Sequence, residues 1–308
     1  LLFPYRFQSI QIQTSWLHLL PAYKKMMGVN LVICNGENSA DGNGITPTSA
    51  RYLFDSGVDV ITLGNHTFRR KEFYEMLDEN PFIIRPANFP KGTTPGKGIC
   101  NVDMGKNIVS VINIMGNSYM DTNLACPFET AEELIKEAEG KIIIVDFHAE
   151  ATGEKRAMGF FLDGKVSAVF GTHTHVQTAD NQVLPNGTGY ITDIGMTGPI
   201  QSALGIKPQL IIEKLKTQLP VRFEIADGDC RLEGVLLNID DDHMDYFKTM
   251  DNLKNSFKKF VSMGKICYAN GDDNHVKDVV AGIDANVVTY GFEEDNDYCA
   301  QNITSGKY

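Results

Sequence analysis

No two of the six cysteines, Cys34, Cys100, Cys126, Cys230, Cys267 and Cys299, are close enough for a C-x-x-C pair. That scatter argues against a zinc ribbon and fits free thiols in a reducing compartment. No apolar run reaches the roughly 18 residues of a membrane span. The opening Leu1-Leu2-Phe3-Pro4-Tyr5-Arg6 lacks an initiator Met and a basic stretch ahead of an apolar one, so it does not read as a signal peptide. A cytoplasmic protein without membrane contact is the expectation. Bases are in the minority, 28 Lys and Arg against 39 acids for a net charge of -11. An extended nucleic-acid groove is thereby disfavoured. A small phosphorylated substrate is not, because bound cations can invert the local field. Internal repeats and low-complexity segments are missing, as is any G-x-x-x-x-G-K-[ST] phosphate loop.

What is present is an ordinary globular composition, 43% hydrophobic and 22% charged over 308 residues. It suffices for a normal core and for one large or two ordinary domains. Val- and Ile-rich runs predict strands at Asn30–Cys34, Val58–Leu63, Ile108–Ile114, Ile142–Phe147, Val166–Phe170 and Gly189–Ile194. Helices are predicted at Ser15–Met27, Thr48–Ser56, Arg69–Asp78, Thr130–Glu139 and Pro208–Thr217. Thr46-Pro47 reads as a cap followed by a first-turn proline. The alternation predicts an α/β sandwich. Val221–Ile225 and Cys230–Ile239 read as a hairpin around Asp227-Gly228-Asp229. Beyond the acidic Asp240-Asp241-Asp242-His243 the pattern changes. A helix is predicted over Asp245–Val261 and short strands at Lys265–Ala269 and Asn286–Tyr290.

Polar residues able to bind metal gather where predicted strands end. Asn35-Gly36-Glu37-Asn38, Gly64-Asn65-His66, Asp146-Phe147-His148-Ala149-Glu150, Gly171-Thr172-His173-Thr174-His175 and Asp193-Ile194-Gly195 each close an apolar run, and Asn113 sits near the end of another. Ligand sites in α/β sheets collect beyond the carboxyl ends of strands. A single histidine there usually does no more than hydrogen-bond, and Asn-Gly is usually turn chemistry. The joint pattern is different: His66, His148, His173 and His175, four of the seven histidines, all fall beside strand ends. Glu37 can bridge two cations, Asn38 and Asn65 offer amide oxygens, and the histidines offer imidazole nitrogens. Such mixed ligation suits Mn, Fe, Zn or Ni better than Ca or Mg. Two ions about 3.5–4 Å apart can clamp a phosphate and activate water. His66, next to a candidate ligand, could act as a general acid.

These motifs, with Arg85-Pro86-Ala87-Asn88-Phe89-Pro90, Ile191-Thr192-Asp193-Ile194-Gly195-Met196-Thr197-Gly198-Pro199 and Gln218-Leu219-Pro220-Val221-Arg222-Phe223, resemble the YmdB-type phosphodiesterases. These are a branch of the calcineurin-like metallophosphoesterases. The resemblance covers about residues 17–240. It implies a four-layer α/β/β/α sandwich with a dinuclear site (Fe, Mn or Zn) and hydrolysis of 2′,3′-cyclic nucleotides to monophosphates by metal-activated water. By the same resemblance Glu37 bridges the two ions, Asn38, Asn65, His148 and His173 hold one, His175 holds the other, and His66 is the proton donor.

The chain departs from that family at its front. The family's first strand ends in Gly-Asp, whose Asp joins His175 on one ion. Here Tyr5-Arg6 stands at that place, and no Asp occurs before Asp41. The resemblance therefore also admits a chain in which the second ion is weak or absent, or a catalytically inactive metal- or nucleotide-binding regulator. Residues 238–308 resemble a piece of the Mur ligases, the UDP-N-acetylmuramate–L-alanine ligases in particular. The segments carrying this are Asn238-Ile239-Asp240-Asp241-Asp242-His243-Met244-Asp245-Tyr246-Phe247, Val287-Val288-Thr289-Tyr290-Gly291-Phe292, Asp297-Tyr298 and Ala300-Gln301-Asn302-Ile303. Without the phosphate loop this part implies a ligase fragment lacking activity. The expected division is a metallophosphoesterase domain over 1–240 and a partial Mur-like segment over 241–308, joined within Leu237–Asp242. The expected partner is a small phosphodiester, with self-association left open.

Overall fold

The computed structural model describes residues 2–4, 20–26, 29–40, 42–120, 124–199, 201–226, 233–236, 249–263, 266–283 and 286–299. The chain divides into two compact units: Leu1–Lys24 with Val29–Cys230, and Lys25–Gly28 with Arg231–Tyr308.

The first unit contains two sheets. One orders β1 (Leu2–Pro4), β2 (Ile33–Asn35), β3 (Val60–Thr62) and β4 (Ile83–Ile84) side by side, all parallel. The other has six strands, β5 (Ile99–Asp103), β6 (Ile108–Met115), β7 (Ile142–His148), β8 (Ala168–Thr172), β10 (Gly189–Ile191) and β9 (Gln182–Val183), in that spatial order. Its centre, β6 to β10, is parallel and its outermost strands are antiparallel. The Ile-Ile-Ile-Val-Asp-Phe-His run of β7 is buried along nearly its whole length, as a central parallel strand covered on both faces should be.

The sheets face one another. Ile33, Val60 and Ile84 of the first pack with Cys100, Val109, Val111 and Phe170 of the second. On the outer face of the second sheet, Ile112, Ile114, Val145 and Phe147 meet α4 (Pro127–Glu137) through Ala131 and Leu134, and α5 (Thr152–Leu162) through Met158 and Leu162. The first sheet is covered by α2 (Pro47–Asp55): a Cβ at Gly36 would lie 2.9 Å from Ile61 and 3.1 Å from Leu53. This is the expected α/β/β/α arrangement. Helix α2 begins as the sequence indicates, with Thr46 as cap, a reciprocal bond with Ser49, and Pro47 in the first turn. Among the described residues this unit also has α1 (Leu20–Met26), α3 (Tyr74–Glu79) and α6 (Pro208–Thr217).

One expectation requires correction, and one helix is new. The predicted hairpin is not formed: Val221–Ile225 carries no strand among the described residues, and β11 (Glu233–Leu236) pairs in parallel with β12 (Ile266–Asn270) instead. An Asp-Gly-Asp turn signal is local, whereas strand partners are chosen by what buries the apolar face; the turn itself lies outside the described residues. Helix α5 was not predicted at all.

In the second unit β11, β12, β13 (Asn286–Gly291) and β14 (Tyr298–Cys299) form a wholly parallel sheet. It is accompanied by α7 (Met250–Met263) and α8 (Asn274–Val280), the latter capped by Asp273, which accepts from the Val276 N–H. Asp240–His243 lie outside the described residues.

Candidate metal centre

The carboxyl ends of both sheets in the first unit share one rim. Glu37 and Asn38 follow β2, Asn65 and His66 follow β3, His148 is the last residue of β7, and His173 follows β8. Glu37, Asn38 and His148 are buried. His148 Nε2 lies 2.9 Å from Asn65 Oδ1, 3.1 Å from His173 Nδ1 and 3.3 Å from Glu37 Oε1. One ligand atom each from Glu37, His148 and His173 falls within 4.8 Å of the others.

Residues separated by more than 130 positions in sequence thus converge on one point. Metal–ligand bonds of about 2.1 Å set at right angles put neighbouring donor atoms about 3.0 Å apart, close to the spacings found. The backbone leaves room for the cluster: a Cβ at Gly64 would stand 2.3 Å from His148 Nε2 and 2.4 Å from Glu37 Oε2. Two imidazoles, a carboxylate and an amide form a donor set for a borderline divalent cation. The residues present fit such an ion.

Asn38 flanks the cluster. Its amide donates to Glu37 Oε1 at 3.0 Å, and its oxygen lies 2.6 Å from His66 Nδ1. His66 is half-buried, and its backbone N–H donates to Glu37 Oε2. His175 lies outside the close triad, its ring centre 6.5 Å from that of His173. His173 and His175 have φ of 98° and 67°, left-handed values that non-glycine residues adopt only where surrounding structure imposes them. Tyr5-Arg6 falls outside the described residues.

Several supporting groups carry little sequence signal. Asp146, fully buried beneath the cluster on β7, accepts from Thr62 and Asn35 of the first sheet and from Thr172 of the second. Burial pushes its carboxyl up to about 6 against those three hydrogen bonds. Burial first, then the charges of His173, Lys155, His175 and His66, holds His148 well below the ordinary histidine value, so the ring stays neutral and able to ligate. Glu150 lies 3.1 Å from His173 Nε2; the Asp146–Glu150 motif contains it, but only tertiary contact assigns it this partner. Lys155 had no sequence signal.

Two facing sheets whose shared rim gathers carboxylate, amide and imidazole side chains define the metallophosphoesterase class of hydrolases. Within that class, the YmdB-like family model matches residues 13–250, and the chain belongs to this family. It is 50% identical over 224 residues to the 2′,3′-cyclic-nucleotide 2′-phosphodiesterase of Bacillus subtilis, covering 72% of this chain and 84% of that protein. A solved structure of a hypothetical protein from Thermus thermophilus matches with a TM-score of 0.69 at 39% identity, over 75% of this chain and 89% of that one. A novel phosphatase from Mycoplasma pneumoniae matches at 0.66 and 32%, over 74% and 82%. The Mur ligase middle-domain model matches residues 231–307. There the chain is 44% identical over 74 residues to the UDP-N-acetylmuramate–L-alanine ligase of Caldanaerobacter subterraneus, covering 23% of this chain but 16% of that enzyme. The two family matches overlap over 231–250. Among the described residues, no helix is long and apolar enough to cross a membrane.

Proposed function

We propose that the chain is a divalent-metal-dependent phosphodiesterase that opens 2′,3′-cyclic nucleotides to monophosphates. The observation that carries this reading is the meeting of Glu37, Asn65, His148 and His173 at one point in a chain 50% identical over 224 residues to a 2′,3′-cyclic-nucleotide 2′-phosphodiesterase. Glu37, Asn38, Asn65, His148 and His173 would hold one ion and His175, with Glu37 as the bridge, a second. Bound there, such cations supply Lewis acidity toward phosphoryl oxygens and water.

The protein's own contribution is order and proton placement. Glu37 takes the His66 backbone N–H and the Asn38 amide, so the loops after β2 and β3 are fixed to each other before substrate arrives. The Asn38 oxygen, 2.6 Å from His66 Nδ1, orients that imidazole. Protonated, His66 donates to Asn38 through Nδ1 and has its Nε2 proton to give to the ribose oxygen as the P–O bond to it breaks. The oxygen of a water forms the new P–O bond. The net change is addition of one water across one ester bond.

One sequence observation supports a second reading. Tyr5-Arg6 occupies the place of the family's Gly-Asp, and a guanidinium repels a cation rather than binding it. On this reading the site holds one ion and the protein binds cyclic nucleotides without turning them over. Purified full-length chain assayed with 2′,3′-cyclic AMP and added Mn2+, alongside metal counting, separates the two. Turnover with two ions per chain supports the first. A single ion, tight nucleotide binding and no product support the second.

A further inference from the structure

His148 must present a bare nitrogen to a cation, and the structure contains a device that decides which nitrogen is bare. Asp146 lies two residues before His148 on β7, so both side chains leave the same face of the strand. Asp146 Oδ2 receives the Thr62 hydroxyl at 2.5 Å and the Asn35 amide at 3.2 Å, and its Oδ1 receives the Thr172 hydroxyl at 2.7 Å. An ionised carboxylate only accepts, so the single hydroxyl proton of Thr172 is committed to it. The Thr172 oxygen also lies 2.9 Å from His148 Nδ1. With its own proton spent, that oxygen can only accept there, and Nδ1 must donate. A neutral imidazole has one N–H, which leaves Nε2 as a lone pair.

That lone pair faces Asn65 Oδ1 and Glu37 Oε1. The opposite tautomer would place an N–H against those oxygens and satisfy them at once. The buried chain beneath the ring forgoes that bond and keeps Nε2 an acceptor, with His173 Nδ1 3.1 Å away as its neighbouring nitrogen; a cation at this point would be held by the lone pair and the oxygens together.

We propose that Asp146, acting through the Thr172 hydroxyl, is a positioning residue that keeps the His148 proton on Nδ1 and Nε2 open toward Glu37, Asn65 and His173. This rests on the metal-centre reading above and adds to it the source of the ring's orientation: donors from both sheets fix Asp146, so the register of one sheet against the other sets the tautomer at the rim.

The test uses the full-length chain, metal-stripped, with 15N-labelled histidine, in alkaline buffer. Long-range 1H–15N correlation reports which nitrogen of His148 carries the proton, the signal being assigned by its loss in His148→Asn. The wild type should show a protonated Nδ1. Thr172→Val keeps the shape and the backbone carbonyl that Lys155 binds but removes the relay oxygen. It should move the proton to Nε2 and weaken Mn2+ binding by about 10–100-fold. Thr172→Ser should retain both wild-type properties. A wild-type proton on Nε2, or a Thr172→Val chain still protonated on Nδ1 whatever its affinity, overturns the relay. A chain whose tautomer responds as stated but which binds no Mn2+ supports the relay and sinks the metal-centre reading.

Discussion

Lys155 Nζ lies 2.6 Å from Asp193 Oδ2, with both side chains almost wholly removed from solvent. The ammonium also donates to the Thr172 carbonyl at 2.8 Å. Asp193 accepts from the backbone N–H of Thr174 through Oδ2 and of Gly195 through Oδ1. One buried ion pair therefore ties helix α5 to two loops, and the first of these carries His173 and His175 in their left-handed conformations.

Removing one member leaves a buried charge uncompensated. Lys155→Met should lower stability by about 3–5 kcal/mol, read as a shift in the urea midpoint at unchanged slope. Adding Asp193→Asn should recover part of that loss, because the orphaned charge goes with it. A single mutant as stable as the parent would mean that the pair is not closed to water.

Gly64 is the next place where sequence and site are tightly coupled. The atoms that a Cβ there would strike belong to His148 and Glu37, both buried and held by hydrogen bonds, so the substitution must push them out of place. Gly64→Ala should therefore cost about 1–3 kcal/mol of stability and bind Mn2+ or Zn2+ at least about tenfold more weakly. Isothermal titration on the metal-stripped chain measures this, and equal affinity would remove Gly64 from the centre.

The buried thiols give a prediction about chemistry remote from turnover. Burial, and then the nearby Asp146 carboxylate, raises Cys34 well above the ordinary thiol value. Burial takes Cys100 to about 12 against one backbone hydrogen bond, and raises Cys267. The thiolate is the reacting form. A group at about 12 is ionised to roughly one part in ten thousand at pH 8, and the fraction grows tenfold with each unit of rising pH. Cys126 is exposed. Brief alkylation at pH 8 followed by peptide mapping should mark Cys126 in native protein, and Cys34, Cys100 and Cys267 only after denaturation. Native labelling of Cys34 or Cys100, which lie on facing sheets, would show the sandwich opening.

What could be read from the chain follows from where its information is local. Ile142–His148 announces itself as a buried strand because nearly every position is apolar, and Thr46-Pro47 announces a helix start because cap chemistry involves neighbours in sequence. Helix α5 hides because its inward stripe is Lys155, Met158, Gly159 and Leu162. The first position reads as solvent-facing until Asp193 is known, and the third is small because the Tyr190 ring occupies the space a Cβ would need. Likewise His148 and His173 stand out as ligand types at strand ends, whereas Thr62, Thr172 and Asn35 acquire meaning only when Asp146 is placed between the two sheets. Hydrogen-bond partners 26, 84 and 111 residues apart leave no mark on spacing.

His66 separates chemistry from metal holding most cleanly. Its ring meets the cluster through Asn38, and its backbone N–H, which any side chain preserves, supplies the bond to Glu37. His66→Ala should therefore keep the parental metal content while cyclic-nucleotide turnover falls by about 10²–10⁴-fold, the usual worth of a positioned proton donor. The loss should sit in kcat more than in KM, since proton delivery matters only as the ester bond breaks. A substrate with a better leaving group than a ribose oxygen, such as bis(p-nitrophenyl) phosphate, should suffer a smaller loss because its departing oxygen needs no proton. Metal content measured by mass spectrometry beside both rates decides the assignment. If metal leaves with the ring, His66 is a ligand; if both substrates slow equally with metal retained, it orients substrate and does not protonate the leaving group.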